Sequence, residues 1–318
     1  MPQIKNLVSI VVCTHNRSAS IKKTIDSLFK LRYPHLEIVV VDSSDDDETL
    51  RFINLIVSNY ELPLRIIKSK EKNISKSRNI GINSALGEFI LFIDDDAIPP
   101  SNWIDNTLSI YVKYGEKCVG VGGIVRDMTT VGYPLQYCRG ISNVISDTIP
   151  IRSDAATSHN NPSGYWYNCL MGANSSYRKE ALQEINGYDE FFEYFLDETD
   201  VCLRLIQAGY QIHYSDIVVD HYPQPSHNRQ DQKHLTCWYS LSKNTTYFAL
   251  KHALNKIPLP ILCIRLTFLL IYRCFLRIIR LKFTHNLSNK LIGQYIQESI
   301  DGIRVGWIAG MNFHKSPN

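Results

Sequence analysis

The sequence predicts an α/β protein, with a mostly parallel sheet flanked by helices and a helical region at the C-terminal end. Three observations carry this. Runs at 7–12, 36–41, 64–68 and 89–93 have the composition of strands, and segments with helical spacing separate them. Such alternation is the signature of a parallel sheet wound with crossover helices. Beyond about residue 225 the strand pattern stops and apolar helical stretches take over.

Residues 7–12 read as a buried strand, followed by Cys13-Thr-His-Asn-Arg17 and a helix over 20–31. Ligands of open α/β sheets bind at the carboxyl ends of the strands, so Thr14, Asn16 and Arg17 fall on the ligand-facing edge. The second strand, 36–41, ends on Asp42. Two readings stay open for this acid: a cap for a helix over 49–60, or an acceptor for a base or ribose donor. Residues 64–68 form a third, amphipathic strand, and a helix starts near Asn73 with Lys72, Lys76 and Arg78 around its first turn. Cations there oppose the helix dipole, so they are solvated or held by an anion such as a diphosphate.

The fourth strand, 89–93, has no polar alternation and stops on Asp94, Asp95 and Asp96, with Pro99 and Pro100 forbidding a ladder beyond. Three adjacent carboxylates suit either an acidic turn before the next helix or a divalent cation. Mg²⁺ and Mn²⁺ take hard oxygen ligands and complete their shells with phosphate oxygens.

A helix over 101–114 and a glycine-containing strand over 118–125 follow. Residues 127–168 read as irregular, rich in Gly, Pro, Ser, Asn and aromatic side chains. Segment 171–178 leads into a helix ending near Asn186-Gly187. Asp197, Glu198 and Asp200 then crowd the first turn of a helix whose apolar face is Val201, Leu205 and Ala208 and which Gly209 terminates. Acids complement the dipole there, and Asp197 is placed to be the N-cap. Short strands over 211–214 and 218–220 end on His221.

Length and composition bound the rest. The 318 residues suffice for one large α/β domain with an appendage, and a formal net charge of +3 gives no argument for nucleic acid. Eight scattered cysteines without a Cys-x-x-Cys pair suggest reduced thiols in a cytosolic compartment. The first residues lack a basic and apolar leader, so no signal peptide is expected. His227, Arg229 and Lys233 make a polar, basic linker into a helix over 235–254. Stretch 257–283 is strongly apolar but interrupted by Arg265, Arg273, Arg277 and Arg280, a pattern suited to a helix lying in an anionic membrane surface. A core helix pair or a dimer interface is the competing reading.

In order along the chain, Val8-Ser-Ile-Val-Val-Cys-Thr-His-Asn-Arg17, Val39-Val-Val-Asp42, Ser77-Arg-Asn-Ile-Gly-Ile82 and Phe92-Ile-Asp-Asp-Asp-Ala-Ile-Pro99 resemble the motifs of family 2 glycosyltransferases. The resemblance runs from about Leu7 to about Tyr222. It implies a GT-A-like (nucleotide-diphospho-sugar transferase) domain over 1–225, beyond which 226–318 reads as a helical region with an interfacial or membrane-associated segment at about 257–283. It also implies inverting transfer from a nucleotide-diphosphate sugar to a hydroxyl of a saccharide or lipid-linked acceptor, in cell-surface polysaccharide or glycolipid synthesis at the cytoplasmic face of a membrane.

Carried onto this chain, the family's metal, Mn²⁺ or Mg²⁺, falls to Asp96, with His221 as a further contact. Asp94 would hold the ribose, Asp42 the base, and Arg17 and Arg78 the nucleotide or phosphates, with Thr14, Asn16 and Asp95 beside them. An acid at Asp42 suits the imide N–H of uracil, which favours UDP. The segment from Asp197 resembles the family's second acidic motif, normally Glu-Asp-x-Asp, which supplies the catalytic base. Here the leading pair is reversed, so Glu198 and Asp197 are both candidates.

Two other readings compete. A sugar nucleotidyltransferase would use a similar sheet and similar acids, but with a Gly-rich basic loop where this chain has Thr-His-Asn-Arg. A catalytically silent nucleotide-sugar-binding or scaffold subunit would bind donor without turnover.

Overall fold

The computed structural model describes residues 7–57, 63–151, 159–224, 237–285 and 287–315. Tyr60, at the expected end of the second helix, and the basic residues His227, Arg229 and Lys233 lie outside them. Strand β1 (Val8–Thr14) leads to helix α1 (Ser18–Leu28), β2 (Leu36–Asp42) to α2 (Glu48–Val57), and β3 (Leu64–Lys68) to α3 (Ile74–Ser84). The acidic strand β4 (Phe89–Asp94) turns into β5 (Ala97–Ile98), followed by α4 (Trp103–Tyr114) and the long β6 (Cys118–Asp127). Segment 127–168, expected to be irregular, contains the short strands β7 (Leu135–Tyr137), β8 (Gly140–Asn143) and β9 (Thr148–Pro150) and the start of β10 (Trp166–Cys169). Then come β11 (Ser175–Arg178), α5 (Lys179–Glu184), α6 (Asp197–Gln207) and β12 (Gln211–His221).

The main sheet has the order β3-β2-β1-β4-β11-β6-β12-β5, with β7 beside β6. The pairs β1–β2, β1–β4, β2–β3 and β6–β12 are parallel. Every residue of β2 is buried, and so is every residue of β1 except Cys13, which is why these strands show no polar alternation. The two short strands expected over 211–220 are one strand, β12, with a register irregularity between Tyr214 and Val218. On α6, Val201 and Leu205 are buried as expected, together with Cys202, Leu203 and Ile206, whereas Ala208 lies past the helix and is exposed.

The sequence reading missed β11, which sits antiparallel in the middle of the sheet between β4 and β6. Two serines at its start read as loop. In the fold the Ser176 hydroxyl donates to the Val121 carbonyl at 3.0 Å and lies 3.0 Å from the Tyr111 hydroxyl, so its polarity is satisfied internally.

The chain divides into two compact units. The first comprises Met1–Ile141, Ile149–Glu193 and Asp197–Gln224, and the second comprises Ser142–Thr148, Tyr194–Leu196 and Pro225–Asn318. In the second unit α7 (Trp238–Ala253) is followed by α8 (Leu259–Leu270), a π-helical turn (Ile271–Leu276), α9 (Arg277–His285) and α10 (Asn289–Phe313).

Helices α7 and α10 touch along Gly302, Gly306 and Gly310. A Cβ on Gly306 would lie 2.2 Å from the Lys243 carbonyl oxygen, a backbone atom that cannot swing aside. Gly306→Val should therefore lower unfolding free energy by about 2–3 kcal/mol in a denaturant titration. Gly293→Ala on the same helix meets nothing within 4 Å and should stabilise by roughly 0.5–1 kcal/mol.

Helices α8 and α9 run on as one helix, Leu259–His285, long and apolar enough to cross a bilayer, containing an 18-residue window of mean hydropathy 1.9 of which 22% is buried. Ile261, Ile264, Phe268, Tyr272, Leu276, Ile279 and Phe283 are exposed and follow three- and four-residue steps, so they share a face. The arginines do not all decorate a solvent face. Arg273 turns inward and donates to the Ser146 hydroxyl at 3.0 Å and to the Ser146 carbonyl, and Arg277 lies 5.5 Å from the Trp238 ring centroid. Arg265, Arg277 and Arg280 are exposed.

Candidate active site

The parallel register aligns the strand ends that carry polar groups. Thr14 pairs with Asp42, Asp42 with Lys68, and Cys13 with Asp94. Past Asp94 the chain turns through Asp95 and Asp96 into β5, which pairs Ala97 with His221 at the end of β12. This brings Asp94, Asp96 and His221 together, with one ligand atom of each within 4.8 Å of the others. His221 Nε2 is 3.0 Å from an Asp96 oxygen and 3.7 Å from an Asp94 oxygen. Its Nδ1 lies 2.7 Å from Gln136 Oε1, and since an amide oxygen only accepts, Nδ1 carries a proton there; when the imidazole is charged, Nε2 carries one as well and donates to Asp96.

The second Asp96 oxygen accepts from the Gln224 N–H at 3.0 Å and from Arg17 at 3.2 Å. Burial opposes its charge, but the His221 hydrogen bond and charge, Arg17 and the Gln224 N–H outweigh it, and Asp96 titrates below the usual carboxylate range. Asp94, more open, is pushed upward by burial and by the Asp96 charge, with His221 opposing. Two carboxylates and one imidazole, one carboxylate reachable from outside, fit a divalent cation. Burial pushes the neighbouring Cys13 thiol up to about 12.

Asp95 takes a different part. Thr14 donates to it at 2.6 Å and Arg17 at 2.8 Å, and burial pushes its carboxyl up to about 6 although Arg17 opposes. Both expected nucleotide contacts, Thr14 and Asp95, are thus buried and engaged with each other. Asp42 is also fully buried: its oxygens accept from the Ser44 N–H at 2.9 Å and from Lys68 at 3.1 Å. It does not cap α2, where the Glu48 N–H goes to Asp46 instead. Asn16, at φ 53°, donates to Asp45 at 3.0 Å and accepts from the Asp45 N–H at 2.9 Å, joining the loops after β1 and β2.

A second cluster is built on α3. Asn73 caps the helix by accepting from the Lys76 N–H, and its amide donates to the Glu190 carbonyl. Ser75 donates to the Phe192 carbonyl, and Asn79 grips both the N–H and the carbonyl of Tyr188. These contacts hold the segment just before the acids of α6. From the same helix Arg78 reaches Asp197 and, at 2.7 Å, Glu198, while lying 5.2 Å from the Tyr188 ring centroid.

Asp197 is therefore not the cap expected from the sequence. It is the first residue of α6, with its carboxylate on Arg78. Burial and the neighbouring Glu198 charge push it well above the usual range, whereas Arg78, outweighing burial, and the hydrogen bond from Asp197 hold Glu198 below it. The two acids are coupled through Arg78 and each other, so their titration belongs to the pair. Asp200 is buried and taken by Arg204 at 2.7 Å.

The site rests on one glycine. A Cβ on Gly172 would lie 2.2 Å from both Arg78 Nη2 and Glu198 Oε1, so a side chain there would displace the ion pair. Gly172, Arg78, Cys13 and Asp94 line one small cavity, which makes the two acidic clusters neighbours.

Comparison with known proteins decides the family. The family described as Glycosyl transferase family 2 matches residues 9–185, more than half of the chain. The chain belongs to glycosyltransferase family 2. A second match, described as N-terminal domain of galactosyltransferase, covers residues 153–228. Among curated relatives, a dolichyl N-acetyl-alpha-D-glucosaminyl phosphate 3-beta-D-2,3-diacetamido-2,3-dideoxy-beta-D-glucuronosyltransferase of Methanococcus voltae is 28% identical over 130 residues, 39% of this chain and 40% of that protein. The UDP-Glc:alpha-D-GlcNAc-diphosphoundecaprenol beta-1,3-glucosyltransferase WfaP of Escherichia coli is 28% identical over 163 residues, 46% of this chain and 63% of that protein.

Solved structures agree on the GT-A fold. Mannosyltransferase PcManGT of Pyrobaculum calidifontis, in complex with GDP-Man and Mn²⁺, superposes with a TM-score of 0.56 at 15% identity over 98% of this chain and 88% of that one. Residues 1–349 of TarS from S. aureus superpose with a TM-score of 0.57 at 16% identity, over 97% of this chain and 91% of that one.

Within this family frame, Gln136, Gly172, Tyr188 and Gln224 complete the site without having been expected there. Nothing local marks them, because each matters only through a partner far along the chain: Gln136 through His221, Gly172 and Tyr188 through Arg78, and Gln224 through Asp96.

Proposed function

We propose that this chain is an inverting glycosyltransferase that moves a sugar from a nucleotide-diphosphate donor, UDP-sugar favoured, to a hydroxyl of a saccharide or lipid-linked acceptor. Cell-surface polysaccharide or glycolipid synthesis is the setting. The observation that carries this reading is one small cavity lined both by Asp94, of the group Asp94, Asp96 and His221 that suits a divalent metal, and by Arg78, which holds the acid pair Asp197 and Glu198. WfaP carries UDP-Glc in its name and one TarS structure contains UDP, which supports the preference for UDP.

In this reading Glu198, ionised, accepts the proton of the acceptor hydroxyl. The acceptor oxygen bonds to the anomeric carbon as that carbon's bond to the diphosphate oxygen breaks, and the nucleotide leaves with the electron pair. Asp197, paired with Arg78, orients that arginine and with it Glu198, and Arg78 supplies positive charge beside the leaving diphosphate. Asp94, Asp96 and His221 would hold the cation, Mn²⁺ favoured over Mg²⁺ by the imidazole, and when bound it would neutralise charge on the diphosphate. Asp94 would also hold a ribose hydroxyl, and Asn16 and Arg17 would flank the nucleotide.

A thermal-shift series with UDP, GDP, CDP and ADP, each with and without Mn²⁺, tests the donor class. UDP with Mn²⁺ should raise the melting temperature by several degrees, as expected for a ligand present at about 100 times its dissociation constant. No shift with any nucleotide would count against the reading.

The exposed apolar face of Leu259–His285, flanked by Arg265 and Arg280, supports association with the cytoplasmic face of an anionic membrane. Removing the chain from Ile257 onward would also strip α10 from α7, so a surface variant is the cleaner probe. Ile264→Ser/Phe268→Ser/Ile279→Ser should weaken binding to phosphatidylglycerol vesicles by about 10-fold or more, with stability changed by only about 0.5 kcal/mol per site. Equal vesicle binding by wild type and variant would refute the membrane assignment.

A further inference from the structure

Immediately before the acids, Phe195 and Leu196 both have positive φ, 76° and 70°. Neither is glycine, asparagine or aspartate, the residue types that enter this region at low cost. Two such residues in succession persist only where their surroundings hold them. Asn244, in the middle of α7, does so: it is fully buried, and its Nδ2 donates to the Tyr194 carbonyl at 2.5 Å and to the Phe195 carbonyl at 3.0 Å. Its Oδ1 is buried without a hydrogen-bond partner among the described residues. An apolar side chain at this place would avoid that loss, so the amide is accounted for by the two carbonyls it holds. The Arg273 guanidinium lies 6.0 Å from the Phe195 ring centroid, and Leu196 is buried. One peptide bond after Leu196 comes Asp197, and then Glu198.

We propose that Asn244 is a positioning residue for the candidate base. It holds the left-handed turn at Phe195–Leu196, and that turn sets the direction in which α6 starts and where Glu198 is presented to Arg78. Return of either residue to negative φ would re-aim the first turn of α6 and carry Glu198 away from its partner. The inference rests on the reading of Asp197 and Glu198 as the acids of the transfer.

The test uses the full chain. Mn²⁺-dependent release of UDP from UDP-glucose, UDP-galactose and UDP-N-acetylglucosamine is followed for wild type, Asn244→Ala, Asn244→Ala/Phe195→Gly and Glu198→Gln, with amide hydrogen exchange over 195–200 measured in parallel. Asn244→Ala should lower kcat by about 10-fold or more, leave KM for the sugar nucleotide within about 2-fold, and speed exchange over 195–200 but not in the central strands. Glycine adopts positive φ freely, so adding Phe195→Gly should restore most of the lost kcat. Wild-type kcat and exchange in Asn244→Ala overturn the proposal. A kcat loss matched by faster exchange throughout the sheet, without rescue by Phe195→Gly, also overturns it, since that is general destabilisation. Wild-type kcat in Glu198→Gln would instead overturn the reading of the acids on which the inference rests. If no sugar nucleotide is cleaved, the exchange arm decides alone. If Asn244→Ala does not fold, Asn244→Ser, with a single shorter donor, is held to the same criteria.

Discussion

Glu198→Gln should cut transfer by roughly 10²-fold or more while leaving sugar-nucleotide binding and melting temperature nearly unchanged. Glu198 lies 2.7 Å from Arg78, which outweighs burial and holds its carboxyl below the usual range, and the amide keeps an oxygen for that hydrogen bond. Removing the Glu198 charge removes one of the influences that push Asp197 upward, so Asp197 keeps Arg78 paired. The fold loses little, but the acceptor hydroxyl loses its proton acceptor. Asp197→Asn is the contrasting variant. Asparagine keeps nearly the same shape and an oxygen for Arg78, so the expected loss is less than about 10-fold in rate and at most about 1 kcal/mol in stability. Steady-state kinetics and thermal melts on the two variants check this. A dead but folded Asp197→Asn beside a mild Glu198→Gln would swap the roles.

The second large effect is expected at Asp96. Its carboxylate faces His221 at 3.0 Å on one side and the Gln224 N–H at 3.0 Å on the other, and titrates low enough to be ionised at neutral pH. Asp96→Asn keeps the shape and one acceptor oxygen while removing a formal charge from the Asp94–Asp96–His221 group. Mn²⁺ affinity by calorimetry should fall by about 10–100-fold, the loss typical when a metal site is disturbed, and turnover should fall with it. Turnover unchanged across a range of Mn²⁺ concentrations would rule out Asp96 as a ligand.

Much of this was legible in the sequence because the chemistry lies at strand ends, and strand ends are local features. Val8–Thr14, Leu36–Asp42 and Phe89–Asp94 are each buried runs stopped by polar residues, and parallel register alone aligns those stops. What a side chain does once there was less legible. Thr14 and Asp95 are neighbours across two strands, so each satisfies the other. Asp42 meets Lys68 for the same reason, and Arg78 meets acids more than a hundred residues away. Spacing along the chain carries no information about such pairs. Strand β11 was missed through a related effect, since the polarity of Ser176 is satisfied by Tyr111 and Val121, which only the folded sheet brings near. The Phe195–Leu196 turn was invisible because neither residue advertises a positive φ.

The central claim is that this chain activates a sugar nucleotide at a metal-dependent site, and the most direct measurement is UDP released from UDP-sugars with Mn²⁺ and with EDTA in its place. The account predicts slow release from at least one UDP-sugar with Mn²⁺, lost with EDTA and lost again in Asp96→Asn and Glu198→Gln. Release at equal rates with Mn²⁺ and EDTA, or undiminished in both variants, would contradict it.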